Sequence, residues 1–221
     1  MILFYMKIVL KSDATFGRGD GVTGLVDTEV MYDELGLPYL GGRAIKGILV
    51  NECADILAAL PNDERKAKWV QAAARLFGCP GSTSNEQSIL SISNATLPED
   101  LQQAVFRGQM TPAEILDTLT AIRQQTALED SGVYKEHSLR NQRVVLRKTP
   151  FMARLIFNEP PTDNDLALLH ACNKAFMRAG TSRTRGRGSV IVTFCDQSKC
   201  PIPDEKYYQA FKQEYMGRGA A

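Results

Sequence analysis

The chain is poor in the residues that metal and redox chemistry use. Of its 221 residues, two are histidines, His137 and His170, and one is a tryptophan. Its five cysteines, Cys53, Cys79, Cys172, Cys195 and Cys200, include no C-x-x-C pair. An odd count without metal-type spacing argues against a disulfide framework and against a structural zinc site. Cys53 and Cys172 fall on apolar helical faces and are expected in the core as small hydrophobes. Free thiols point to a reducing compartment, the cytoplasm. No apolar run reaches the ~18 residues of a membrane span. The opening MILFYMKIVLK is apolar but short and alternating, without a basic start or a small-residue cleavage site, so it reads as a strand and not as a leader. The signatures GxxxxGK[ST], HExxH and GxSxG are missing, and GRGDG at residues 17–21 is not the dinucleotide fingerprint.

Charge of one sign is lacking overall but not locally. Lys and Arg total 26 against 25 Asp and Glu, so the net charge of +1 selects no class of partner. Residues 13–34 hold six acids (Asp13, Asp20, Asp27, Glu29, Asp33 and Glu34) against one base, Arg18. Residues 140–154 hold Arg140, Arg143, Arg147, Lys148 and Arg154 and no acid, and residues 178–187 hold four arginines and no acid. Such blocks make contacts with a polyanion or form a solvated basic surface.

Glycine is concentrated in two places. Residues 15–50, TFGRGDGVTGLVDTEVMYDELGLPYLGGRAIKGILV, contain Gly17, Gly19, Gly21, Gly24, Gly36, Gly41, Gly42 and Gly47. At this density a backbone can turn tightly or lie close to a ligand. Arg43 and Lys46 stand in the first turns of a helix that opens after Gly41-Gly42, where free N–H groups and the helix dipole favour an anion. Spacing alone leaves Lys46 open between that role and an ordinary surface lysine. The second place is residues 180–188, where Gly180, Gly186 and Gly188 frame Arg183, Arg185 and Arg187. Arginine forks bind phosphate bidentately, and alternate arginines among glycines suit a phosphodiester backbone. Such contacts position a strand without reading its sequence. Asp27, an isolated acid after the first glycine loop, has three readings. It is a turn cap, a metal ligand, or a group that positions a ribose 2′-hydroxyl for attack on the neighbouring phosphate.

Periodicity predicts the remaining elements. Residues 2–10 alternate as a strand, and residues 28–40 form a hairpin-like pair turning at 33–36. Ile45, Ile48, Leu49, Cys53, Ile56, Leu57 and Leu60 recur at three and four, giving a helix that stops at Pro61. Helices are predicted over 64–77, 99–106, 112–128, 163–177 and 207–215, with Thr111-Pro112 a fitting start for the third. Strands are predicted over 88–97, 143–147, 151–157 and 189–194. Residues 129–143 carry charge, Tyr134 and His137 without periodicity and are expected to project. Stripped of insertions, the order is strand, helix, strand, strand, helix, strand, the split βαβ or ferredoxin-like arrangement that RNA-recognition folds share.

GLVDTEV at 24–30, GLPYLGGRAIKG at 36–47, LFG at 76–78 and the loop at 180–188 together resemble the RAMP superfamily. They resemble most closely the repeated backbone subunits of type III CRISPR effector complexes. The resemblance covers most of the chain outside about residues 98–140. It implies an α+β, ferredoxin-like (RRM-like) core with a helical insertion and a thumb-like projection, a single domain over 1–221 with its insertion at about 98–142. It also implies a prokaryotic, cytoplasmic ribonucleoprotein whose partners are guide RNA (crRNA), target RNA and other effector subunits, with no membrane. Asp27 maps onto a loop aspartate that cleaves target RNA with a divalent cation, expected to be Mg2+, and no further metal ligand is assigned. Lys46 maps onto a helix-start lysine. Arg43, Lys46, Gly180, Arg183, Arg185, Gly186, Arg187 and Gly188 are the expected RNA contacts, and residues 129–143 the expected thumb. Arg43 departs from the small hydroxyl residue of the family pattern, and the helices predicted over 98–128 suggest a specialised subunit. Two other functions fit the same sequence: a non-catalytic cap or spacer subunit, and a stand-alone guide-processing endoribonuclease with His137 or His170 as base.

Overall fold

The computed structural model describes residues 2–61, 64–79, 87–126, 138–182 and 185–216. Alternation in the first strand, β1 (Ile2–Leu10), buries Met6, Ile8 and Leu10 and leaves Lys7 exposed. Helices α1 (Gly42–Ala59) and α2 (Glu64–Phe77) follow, then β2 (Leu90–Ile92), α3 (Glu99–Arg107), α4 (Pro112–Leu119), β3 (Thr120–Gln125), β4 (Arg140–Val145), β5 (Pro150–Phe157), α5 (Asp163–Ala175), β6 (Val190–Cys195) and α6 (Tyr208–Met216). One antiparallel sheet has the order β2–β5–β1–β6. β1 lies inside it, paired with β5 from Ile2↔Phe157 to Val9↔Pro150 and with β6 from Tyr5↔Cys195 to Leu10↔Val190. Counting only these strands and the helices α1 and α5, the order is fourth, first, third, second: the ferredoxin-like arrangement.

The core lies between this sheet and its helices. Ile45, Leu49 and Cys53 of α1 and Leu166, Leu169 and Cys172 of α5 meet Phe151, Leu155 and Phe157 of β5 in one buried cluster, which holds the two cysteines expected in the core. A capping box, with Thr162 accepting from Asp165 N and the Asp165 carboxylate accepting from Thr162 N, starts α5. α2 packs beside α5, and its Trp69 meets Phe211 of α6 edge-on at 4.8 Å. A second ladder, β3 with β4, stands outside the main sheet.

Three predicted elements differ. The helix expected over 112–128 ends at Leu119, and Thr120–Gln125 is a strand. The sequence TAIRQQ is compatible with either state, and pairing with β4 from Thr120↔Val145 to Gln125↔Arg140 decides it. The strand expected over 88–97 is regular only at Leu90–Ile92, with single bridges at Ala95 and Thr96. The strand expected over 143–147 occupies Arg140–Val145, so its first four residues fall at the end of the stretch assigned to the thumb. The rest of that stretch includes Tyr134 and His137, which lie outside the described residues. The turn at 33–36 forms as expected, with the Asp33 carboxylate accepting from the N–H groups of Leu35 and Leu37.

Candidate nucleic-acid interface

The glycine-rich loop carrying Asp27 is held by β4. One edge of β4 pairs with β3; the other accepts the chain around residues 14 and 27–28. Asp27 N donates to Asn141 O at 2.8 Å, Arg143 N donates to Thr28 O at 3.0 Å, and Ala14 and Val145 exchange both backbone bonds. Behind this seam lies an ion cluster. Arg143 Nε is 3.0 Å from Glu29, its Nη1 is 2.7 Å from Asp117, and Nη1 also donates to Thr120 Oγ1 at 3.1 Å. Arg143 and Glu29 are both buried, so the loop is pinned by an internal charge pair two residues from Asp27. Arg143 therefore does not belong to the basic surface that residues 140–154 suggested. Buried charges persist when paired and hydrogen-bonded, and that need draws this arginine inward.

The Asp27 side chain itself is exposed. Its Oδ2 accepts from Asn141 N at 2.7 Å, which aims the carboxylate along the rim of a recess of about 510 Å³ lined by residues 21–27, Leu139 and Asn141. Among the described residues no trio of His, Cys, Asp and Glu is grouped to hold a metal. One exposed carboxylate fits the Mg2+ mode in which substrate phosphates and water complete the coordination, and does not make a protein cage.

The N-terminal turns of α1 form a wall of a second depression, about 710 Å³, whose lining includes Met31, Gly41, Arg43, Lys46, Gly47 and, across from them, Gly180 and Thr181. Gly42 lets this wall form. Its N–H donates to Asn94 Oδ1 at 3.0 Å, and a Cβ there would strike the carbonyl oxygen of Ile92. Arg43 is exposed on the rim. Lys46 is half-buried, its ammonium donating to Ser88 Oγ at 2.7 Å and to Leu90 O at 3.0 Å, and burial pushes its pKa down. Lys46 ties α1 to β2 through its ammonium, and the residue borders the depression.

The arginine–glycine loop closes the far side. Thr181 N donates to Thr15 O at 2.9 Å, Gly188 N to Asp13 O at 3.0 Å and Ala179 N to Gly188 O at 2.8 Å. Gly188 sits at φ +70°, and a Cβ would collide with the Ala179 carbonyl, so the loop needs glycine here. Arg187 Nη1 donates to Gln142 Oε1 at 3.2 Å and Arg185 Nη1 to Gln125 Oε1 at 3.4 Å. Turning the Gln125 amide over brings its oxygen to 2.9 Å from Arg187 Nη1. The Gln125 oxygen serves Arg185 in one orientation and Arg187 in the other; these partners are neutral amides of the β3–β4 ladder and cancel neither charge. Arg183 lies outside the described residues.

The structure thus brings Gly180 to the helix start at Arg43 and Lys46, and places Arg187 and Asp27 against neighbouring β4 residues, Gln142 and Asn141. Gly186, at φ +76°, is on the exposed crest of the loop. Sequence reasoning missed Gln125, Gln142 and Asn141, since partners 45 to 114 residues away leave no local signal. Of the two candidate bases, His170 is in the core at 2% exposure. Burial lowers its pKa, and its Nε2 faces Asp204 at 3.3 Å. His137 lies outside the described residues.

The site is thus a ferredoxin-like sheet with an arginine–glycine loop set beside a glycine-flanked helix start. The particular family follows from comparison. A model of the RAMP superfamily matches residues 7–191, and the chain belongs to that superfamily. No curated protein matches it. Solved chains that share its fold include two from cryo-EM structures. One, from a cryo-EM structure of the type III-B Cmr-beta bound to cognate target RNA, has TM-score 0.62 and 12% identity, with 88% of this chain and 97% of that chain covered. The other, from the apo state of the type III-B Cmr-beta, has TM-score 0.61 and 12% identity, covering 87% and 97%. Among the described residues no helix is long and apolar enough to cross a membrane.

Proposed function

We propose that this chain is a guide-RNA-binding subunit of a type III CRISPR effector ribonucleoprotein, assembled with other effector subunits and presenting Asp27 to the target RNA. The observation that carries the reading is the meeting of Gly41, Arg43 and Lys46 with Gly180 and Thr181 around one depression, with Arg185 and Arg187 on neutral partners beside it. Phosphates bind there through guanidinium forks and free backbone N–H groups. Base pairing with the guide, not protein contact, selects the target.

On this reading Asp27 acts on the RNA. Its carboxylate is exposed, fixed by one backbone N–H and held on a seam that the Arg143–Glu29 pair makes rigid. A divalent cation, Mg2+ by the donor type, would supply charge stabilisation at the scissile phosphate. Asp27 would hold that ion, with Asn141 orienting the carboxylate.

The test is RNA binding by the 221-residue chain as salt is varied. Replacing Arg185 and Arg187 by Gln removes two phosphate contacts and should flatten the log–log salt slope by roughly 1.4, at about 0.7 per contact for single strands. An unchanged slope and affinity would remove the loop from the interface.

A further inference from the structure

Gly47 is the residue of the depression that the fold leaves unexplained. It lies inside α1, between Lys46 and Ile48, and it is exposed. Glycine in a helix interior destabilises relative to alanine, so it stands there for a reason or at a cost. Three causes within the fold would justify it: left-handed backbone, close packing of a neighbouring element, or a helix end. None applies. Its φ is not positive, no described residue lies within 4 Å of where its Cβ would be, and α1 continues to Ala59. The contrast is Gly42, five residues earlier, whose missing side chain admits the carbonyl of Ile92. The room at Gly47 opens outward, into the depression that Arg43, Lys46, Gly180 and Thr181 border. The adjoining α1 surface is low, with Ala44 exposed and Val50 at 39% exposure.

We infer that Gly47 is where the ribose–phosphate strand comes closest to α1, so that the missing side chain fixes how deeply RNA seats beside Arg43. This rests on the RNA-binding reading above and adds a steric determinant to its charges. The floor fits such an occupant. Met31, Ile48 and Val50 present apolar surface to a ribose or base face, while Arg43 on the rim meets the phosphate. A side chain at residue 47 would lift the strand away from both.

The experiment compares wild type, Gly47→Ala and Gly47→Leu by anisotropy titration with a fluorescent single-stranded RNA, alongside their thermal midpoints. A Cβ at residue 47 meets no described residue, so both variants should melt at or above wild type. RNA affinity should fall for Ala and fall further for Leu, by on the order of tenfold or more. Wild-type affinity in a folded Gly47→Leu variant overturns the inference while leaving the arginine-loop reading intact. Retained RNA affinity with lost assembly onto effector subunits also overturns it, by assigning the space to a protein segment. If wild type itself fails to bind RNA, the underlying reading falls first, and the inference with it.

Discussion

Single residues here divide into those whose chemistry faces outward and those tied into the fold. Asp27 faces outward. Asp27→Ala should abolish target cleavage by the assembled complex while guide binding survives, at a stability cost of about 1 kcal/mol for the lost contact with Asn141 N. Persistent cleavage would leave Asp27 as a turn residue. Lys46 is tied inward. Lys46→Met should destabilise by about 1 kcal/mol, because Ser88 Oγ and Leu90 O each lose one of their donors. Its effect on the salt slope of RNA binding should be smaller than that of Arg185→Gln with Arg187→Gln. The motifs around Gly42, Asp27 and Gly188 were legible because glycine and a lone acid leave a local mark. The side to which Lys46 points was not, because Ser88 and Leu90 lie 42 and 44 residues further along.

At the scale of elements, β4 is the strand on which the interface depends. It pairs with β3, holds the Asp27 loop and receives Arg187 on Gln142. Arg143→Met leaves Glu29 buried without its partner and should cost about 3–5 kcal/mol in a denaturation measurement. Pairing it with Glu29→Leu should recover much of that loss, since the uncompensated charge goes too. A double variant no more stable than Arg143→Met would show that the pair is not the source of the effect. β3 and β4 were hard to read because TAIRQQ and RNQRVV have little alternation, and only their mutual pairing makes them strands. The packing of α5 against α6 carries a pH signature. Burial depresses the pKa of His170, which Asp204 opposes and Lys174 reinforces. The unfolded chain therefore takes up this proton first as pH falls below about 6.5, and stability is lost on acidification. His170→Gln should flatten the drop in thermal midpoint between pH 7.5 and 5.5; an unchanged drop would place its origin elsewhere.

For the whole molecule, the ferredoxin-like order was legible from alternation in β1, β5 and β6 and from the three-and-four spacing of α1 and α5. The same periodicity says nothing of how two glycine segments about 140 residues apart in the chain come to face each other. That follows from the sheet order, which sets β1 between β5 and β6, so that the chain leaving β1 meets the chain entering β6. The resulting juxtaposition, Arg43 and Lys46 opposite Gly180 and Thr181, carries the functional claim. The most direct measurement is purification of the chain with its neighbouring effector subunits at moderate salt, followed by extraction and sizing of any nucleic acid. The account predicts RNA of discrete length with wild type and much less with Arg185→Gln and Arg187→Gln. A wild-type complex that assembles fully yet carries no RNA would contradict it.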